Sequence, residues 1–161
     1  DGGAFLKKSR DLVEVIIVDA PDPVGPGQEL FTLNLFHNAY ASLTANGVFV
    51  SQTESLHFHR DFVRNTQRDL ASIFPVVDLY TQALATYAGN WWTFSIATKG
   101  IDPRRPYKTK RVHARYYSGE VHRQVFLPRS IRRQIPCSNK TAPRVIFRGI
   151  RAHTGARRGD S

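Results

Sequence analysis

Apolar and polar positions divide this chain into alternating strand and helix segments. Val15-Ile16-Ile17-Val18 is an unbroken β-branched run that stops at Asp19, so residues 13–18 are predicted to form a strand buried on both faces, as in parallel α/β sheets. From Glu29 to Ala45 the apolar positions Leu30, Leu33, Phe36, Tyr40 and Leu43 recur near helical spacing, and Asn46-Gly47 suits a helix C-terminus. Val48-Phe49-Val50 reads as the next buried strand, with Gln52 and Glu54 expected just past its carboxyl end. A second helix is predicted over Asp61–Phe74, with Phe62, Leu70 and Ile73 inward and Pro75 marking its end. Strands follow over Val76–Tyr80 and Trp92–Thr98, joined by a Leu84–Asn90 loop that carries Tyr87. Beyond Gly100 a Pro-rich basic linker leads to a segment, 115–133, expected to hold a short helix and to pack on the sheet edge through Tyr116, Tyr117, Val125 and Phe126.

The segment Asp19–Pro26 changes the picture from fold to chemistry. Asp19 and Asp22 stand three residues apart on a stretch stiffened by Pro21, Pro23 and Pro26, each of which fixes its own φ and lacks an N–H. Ligands of open α/β sheets bind outside the carboxyl ends of strands, where Asp19 falls. Asp also caps helices and forms turns, but three prolines in six residues favour a pair of presented carboxylates over two turn formers.

Charge is uneven. Residues 1–100 hold 7 Lys and Arg against 10 Asp and Glu, a net −3, whereas residues 101–161 hold 16 against 3, a net +13. A basic block can serve nucleic acid or an anionic membrane, yet this one is scattered among Pro, Gly and Ser with no nucleic-acid module. It is read as a solvated extension, with 138–161 a basic disordered tail. The single Cys137 allows no internal disulfide, and no apolar span reaches membrane length, which together suggest a soluble cytoplasmic protein. His57 and His59 lack the further ligands a metal pair would need, so no metal site is predicted.

The string Asp19-Ala20-Pro21-Asp22-Pro23-Val24-Gly25-Pro26, followed by Glu29-Leu30-Phe31-Thr32, resembles the signature of the spermidine synthase family, the polyamine aminopropyltransferases. Ser51–Ser55, Phe74–Val77, Ala85-Thr86-Tyr87 with Trp92, and Arg115-Tyr116-Tyr117 through His122-Arg123 to Pro128 are similar to further family motifs in the same order, from residue 1 to about 135. The resemblance implies the C-terminal portion of a Rossmann-like, class I methyltransferase-type domain with a mostly parallel sheet over 1–100. A family segment over 101–137 would pack on it, and the basic extension would follow. The chain opens at Asp1, holds no Met and lacks a Gly-rich nucleotide loop, so it is expected to be a fragment, inactive alone. The family's chemistry would be transfer of the aminopropyl group of decarboxylated S-adenosylmethionine to putrescine, giving spermidine and methylthioadenosine, with no metal or redox cofactor. By resemblance Asp19 is the catalytic residue, and Asp19, Ala20, Pro21, Asp22 and Tyr87 bind the diamine. Asp1, Gly2 and Pro26 would face the nucleoside co-substrate. Homo-oligomerisation of the full-length protein is expected, and neither nucleic acid nor membrane is. Ala20 and Pro21 replace hydroxyl residues of the family pattern, and Ala85 and Ala88 replace prolines, which leaves the choice of amine open. Two other classes remain: a non-catalytic remnant or basic binding module, and, less favoured by the paired acids, a methyltransferase.

Overall fold

The structure, a computed structural model, describes residues 2–10, 12–19, 25–87, 91–106 and 114–135. The basic tail over 138–161 lies outside them. Four strands, β1 (Val13–Val18), β2 (Leu43–Ser55), β3 (Val76–Ala83) and β4 (Trp91–Thr98), form one sheet in the order β1-β2-β4-β3. β1 and β2 pair in parallel, and β4 runs antiparallel to both β2 and β3. Three strands therefore share one direction, but β4 is wedged between two of them, so one of the three pairings among the described strands is parallel and two are antiparallel: a mixed sheet where a mostly parallel one was expected.

Helices α1 (Gly2–Lys8), α2 (Leu33–Ser42) and α3 (Arg60–Ala71) cover one face. Ile16 and Val18 of β1, Phe49 of β2 and Ala97 of β4 meet Leu6, Leu35, Phe36, Ala39 and Leu70 there, and Phe36, Phe49 and Phe74 form tilted or edge-on ring contacts within this core. Burial of such side chains is the main favourable term, about 1.5 to 3 kcal/mol each. A second cluster joins Val63 of α3 and Leu79 of β3 to Leu127 and Ile135.

Several predicted boundaries move. The helix expected over 29–45 is two pieces, a 3₁₀ turn over Gly25–Phe31 and then α2. Thr32 separates them because its extended backbone (φ −94°, ψ 150°) lets its hydroxyl accept the Leu35 N–H at 3.3 Å, a side-chain N-cap. α2 stops at Ser42, short of Asn46-Gly47, because Leu43 already takes extended geometry and pairs with Val13. Gly47 is thus no helix cap. A Cβ there would lie 2.5 Å from the Leu43 Cβ, so glycine serves the close approach of Leu43.

β1 is buried on one face only, contrary to expectation. Val15 is 55% and Ile17 71% exposed, because α1, α2 and α3 lie on the other side and β1 is the outermost strand among the described residues. At the opposite margin residues 125–127 lie against β3. The Thr81 N–H donates to Val125 O at 2.9 Å, Tyr80 bridges Phe126, and α4 (Gly119–Gln124) and α5 (Arg129–Arg132) flank this contact. Phe126 is buried, whereas Tyr116 and Tyr117 stay exposed, the Tyr116 hydroxyl donating to Gln82 Oε1 at 2.9 Å. Asp78 of β3, 4% exposed, binds the Arg104 guanidinium through two bonds of 2.6 and 3.0 Å and meets Arg132 at 3.2 Å. It thereby ties the 101–106 segment and α5 to the sheet.

Candidate active site

Register defines one rim. Val18 stands opposite Ser51, Ser55 opposite Trp92, and Ala83 opposite Trp91, so the carboxyl ends of β1, β2 and β3 and the start of β4 come to the same edge of the sheet. Asp19 leaves β1 at that edge. Gln52, one residue past the Val18–Ser51 pair, is level with it on the neighbouring strand. The 3₁₀ turn Ala85–Tyr87 follows directly on β3 at the same edge. With strands about 4.8 Å apart, the β1 and β3 flanks of this rim are separated by roughly 14 Å, with β2 and β4 between them.

Asp19 is exposed and stands at one end of a hollow of about 350 Å³ that runs along β1 from Val13 to Val18 and is also lined by Gly2, Gly3, Leu6, Leu30 and Leu35. Among the predicted site residues, Asp19 and Gly2 are thus brought together although 17 positions apart in sequence. Pro26 falls in the turn Gly25–Phe31, and Tyr87 in the turn Ala85–Tyr87. Asp1, Ala20, Pro21 and Asp22 lie outside the described residues.

Gln52 and Glu54 differ from expectation. β2 runs on to Ser55, so both belong to the strand and are buried, at 7% and 2% exposure. The strand extends because its last residues pair with β4 through a polar interior: Thr53 and Thr93 hydroxyls lie 2.9 Å apart, and the Gln67 side-chain amide donates to Ser95 Oγ at 2.7 Å. Trp92 Nε1 donates to Gln52 Oε1 at 2.5 Å, which fixes the Gln52 amide. Two residues of β2, Thr53 and Glu54, oppose the single Thr93 of β4, a β-bulge, and Glu54 there has φ +68°. The strand period gave no sign of this bulge, since nothing in alternating polarity marks a left-handed residue. His59 Nδ1 lies 3.4 Å from the Glu54 carboxylate. No group of three or more metal-ligating side chains occurs among the described residues. No helix among them is long and apolar enough to cross a membrane.

The sequence profile of the spermine/spermidine synthase domain matches residues 1–105. The chain belongs to the spermine/spermidine synthase family. It is 42% identical over 135 residues to "Polyamine aminopropyltransferase 1" of Aquifex aeolicus (strain VF5), covering 84% of this chain and 48% of that protein. It is 41% identical over 128 residues to the polyamine aminopropyltransferase of Hydrogenobaculum sp. (strain Y04AAS1), covering 80% and 46%. A crystal structure of a spermidine synthase in complex with the transition-state analogue AdoDATO superposes with a TM-score of 0.71 at 30% identity, over 83% of this chain and 48% of that one. The Thermotoga maritima spermidine synthase gives 0.69 at 28% identity, over 84% and 47%. This family member therefore spans about half the length of the relatives it matches, and its sheet is the part of the Rossmann-like fold that those structures share with it.

Proposed function

We infer that this protein contributes the amine-handling half of a polyamine aminopropyltransferase site. The observation that carries the reading is Asp19, an exposed carboxylate at the carboxyl end of a parallel strand, sharing one hollow with Gly2 of α1, in a chain 42% identical to a polyamine aminopropyltransferase. The co-substrate would be decarboxylated S-adenosylmethionine and the acceptor a diamine such as putrescine. Asp19, Asp22 and Tyr87, with Ala20 and Pro21 between the acids, would hold the diamine, while Asp1, Gly2 and Pro26 face the nucleoside.

The chemistry asks one thing of the protein above all. An alkylammonium resembles Lys, with a pKa near 10.4, so freeing its lone pair at neutral pH costs roughly 4 to 5 kcal/mol. Asp19 accepts the ammonium proton and aims the nitrogen at the propyl carbon beside the sulfonium. The new N–C bond forms as the C–S bond breaks, and its electron pair returns to sulfur, giving neutral methylthioadenosine. Sulfur is its own activated leaving group, so positioning supplies much of the remaining rate. Turnover is tested in a chimera that joins this chain to the remaining half of the Aquifex aeolicus relative. Asp19→Asn should abolish aminopropyl transfer while methylthioadenosine binding stays near that of the parent chimera. Undiminished turnover in that variant would remove Asp19 from the reaction.

A further inference from the structure

We propose that Glu54 is a positioning residue, which holds the Gln52 amide on the rim beside Asp19 through a left-handed bulge in β2 anchored on His59. Glu54 is the one non-glycine residue with positive φ among the described residues. A left-handed bulge position is the natural place for glycine, since any Cβ there crowds the following carbonyl. The chain instead places a long acid in it and buries that acid almost wholly. Strain of this kind persists only where the surroundings over-determine it, and it gathers at functional sites. The surroundings are visible. The Glu54 carboxylate lies 3.4 Å from Nδ1 of His59, the residue immediately before α3, so the bulge is tied to the start of that helix. On the other side the Glu54 carbonyl accepts from the Thr93 hydroxyl at 2.9 Å.

The extra residue changes what β2 presents to its partner. Without it, Ser55 would not pair with Trp92, and the Trp92 indole would lose the register that brings Nε1 to Gln52 Oε1. Gln52 is held by its oxygen, which turns the question of its orientation into one of the bulge. Its place is two strands from the turn that carries Tyr87 and next to the strand that ends at Asp19, inside the span a diamine would cross. Glu54 touches no reacting atom in this scheme and acts through Gln52. The ligand side of the inference rests on the amine-binding reading above, whereas the bulge and its anchor do not.

The chain's two tryptophans make the test direct, since Trp91 is half exposed and Trp92 is bonded to Gln52. Indole N–H signals of the ¹⁵N-labelled 161-residue chain are recorded with and without 1,4-diaminobutane, with Trp91→Phe assigning them. Glu54→Ala should move the Trp92 signal toward that of a free indole and raise the diamine Kd about tenfold, the loss expected for one misplaced hydrogen bond to a charged group. Glu54→Gln, which keeps an acceptor for His59, should restore both. Should Ala at 54 prevent folding, His59→Ala removes the same anchor without altering the bulge residue and should give the same shift. If the Trp92 signal and diamine affinity stay unchanged, or if only the melting temperature falls, the proposal is overturned. A parent chain that shows no response to diamine would defeat the amine-binding reading alone, and the ligand-free Trp92 shift would still decide the role of Glu54.

Discussion

Asp78→Ala should cost more stability than any other single charge removal in the described structure. The Asp78 carboxylate accepts Nε and Nη2 of Arg104 at 2.6 and 3.0 Å and the Leu79 N–H at 2.8 Å, with Arg132 Nη1 at 3.2 Å. Breaking a buried, hydrogen-bonded ion pair by deleting one partner typically costs about 3 to 5 kcal/mol. Here the acid side chain is 5% exposed but both arginine side chains are 34% exposed, so they can turn in part toward water and the lower figure, about 3 kcal/mol, applies. Asp78→Asn keeps an acceptor for the Leu79 N–H and should lose about 1 to 2 kcal/mol. Arg104→Ala leaves Asp78 with Arg132 but gives up the guanidinium placed 5.1 Å over the Phe126 ring and the bond to Leu127 O. It should therefore fall between the two. Urea unfolding followed by circular dichroism gives the values, and a calorimetric melt should show about 6 to 12 °C lost for Asp78→Ala. A loss below about 1 kcal/mol would mean that water already screens this cluster, and that the 101–106 segment and α5 are held by Leu127 and Ile135 instead.

Three further outcomes follow from the same coordinates. Burial raises the Tyr80 hydroxyl above its ordinary 10.0, so the folded state keeps that proton longer than the unfolded chain. Its contribution is complete below pH 10 and is lost as pH rises through the folded value; Tyr80→Phe should flatten this alkaline loss in a pH series of denaturation midpoints. Gly47→Ala forces a methyl to within 2.5 Å of the Leu43 Cβ and should destabilise by about 1 to 3 kcal/mol, read as a lower urea midpoint. Thr32→Ala removes the cap between the 3₁₀ turn and α2 and should cost about 1 kcal/mol in the same assay.

The order and type of the main elements were readable from the sequence, because the β-branched run before Asp19 suits a strand and Phe36 and Tyr40, one helical turn apart, both face the core from α2. What escaped was decided by partners distant in sequence. Leu43 reads as a helix residue until Val13, thirty positions earlier, pairs with it. Val15 and Ile17 read as core because a local pattern cannot say how many layers flank a strand. At the site, the end of the apolar run at Asp19 was legible as a strand end on the rim, but Gln52 and Glu54 looked like loop residues. Only the β4 partners Trp92 and Thr93 make them part of a strand and set the bulge. The charge pairing of Asp78 with Arg104 and Arg132 spans 26 and 54 positions and leaves no local trace.

The wedging of β4 between β2 and β3 has a consequence for how the chain acquires its structure during synthesis. β3 is made before β4, yet β2 and β3 do not touch in the finished sheet. As residues leave the ribosome, β1 can find β2 once Ser55 is out, whereas Leu79 and Tyr80 have no strand to meet until Trp91–Thr98 appears. The sheet is therefore expected to close in one late step that recruits both flanks of β4 together, with α3 already formed and holding β3 nearby. Pulse-labelled amides of β3 and β4 should gain protection at the same chain length, and those of β1 earlier.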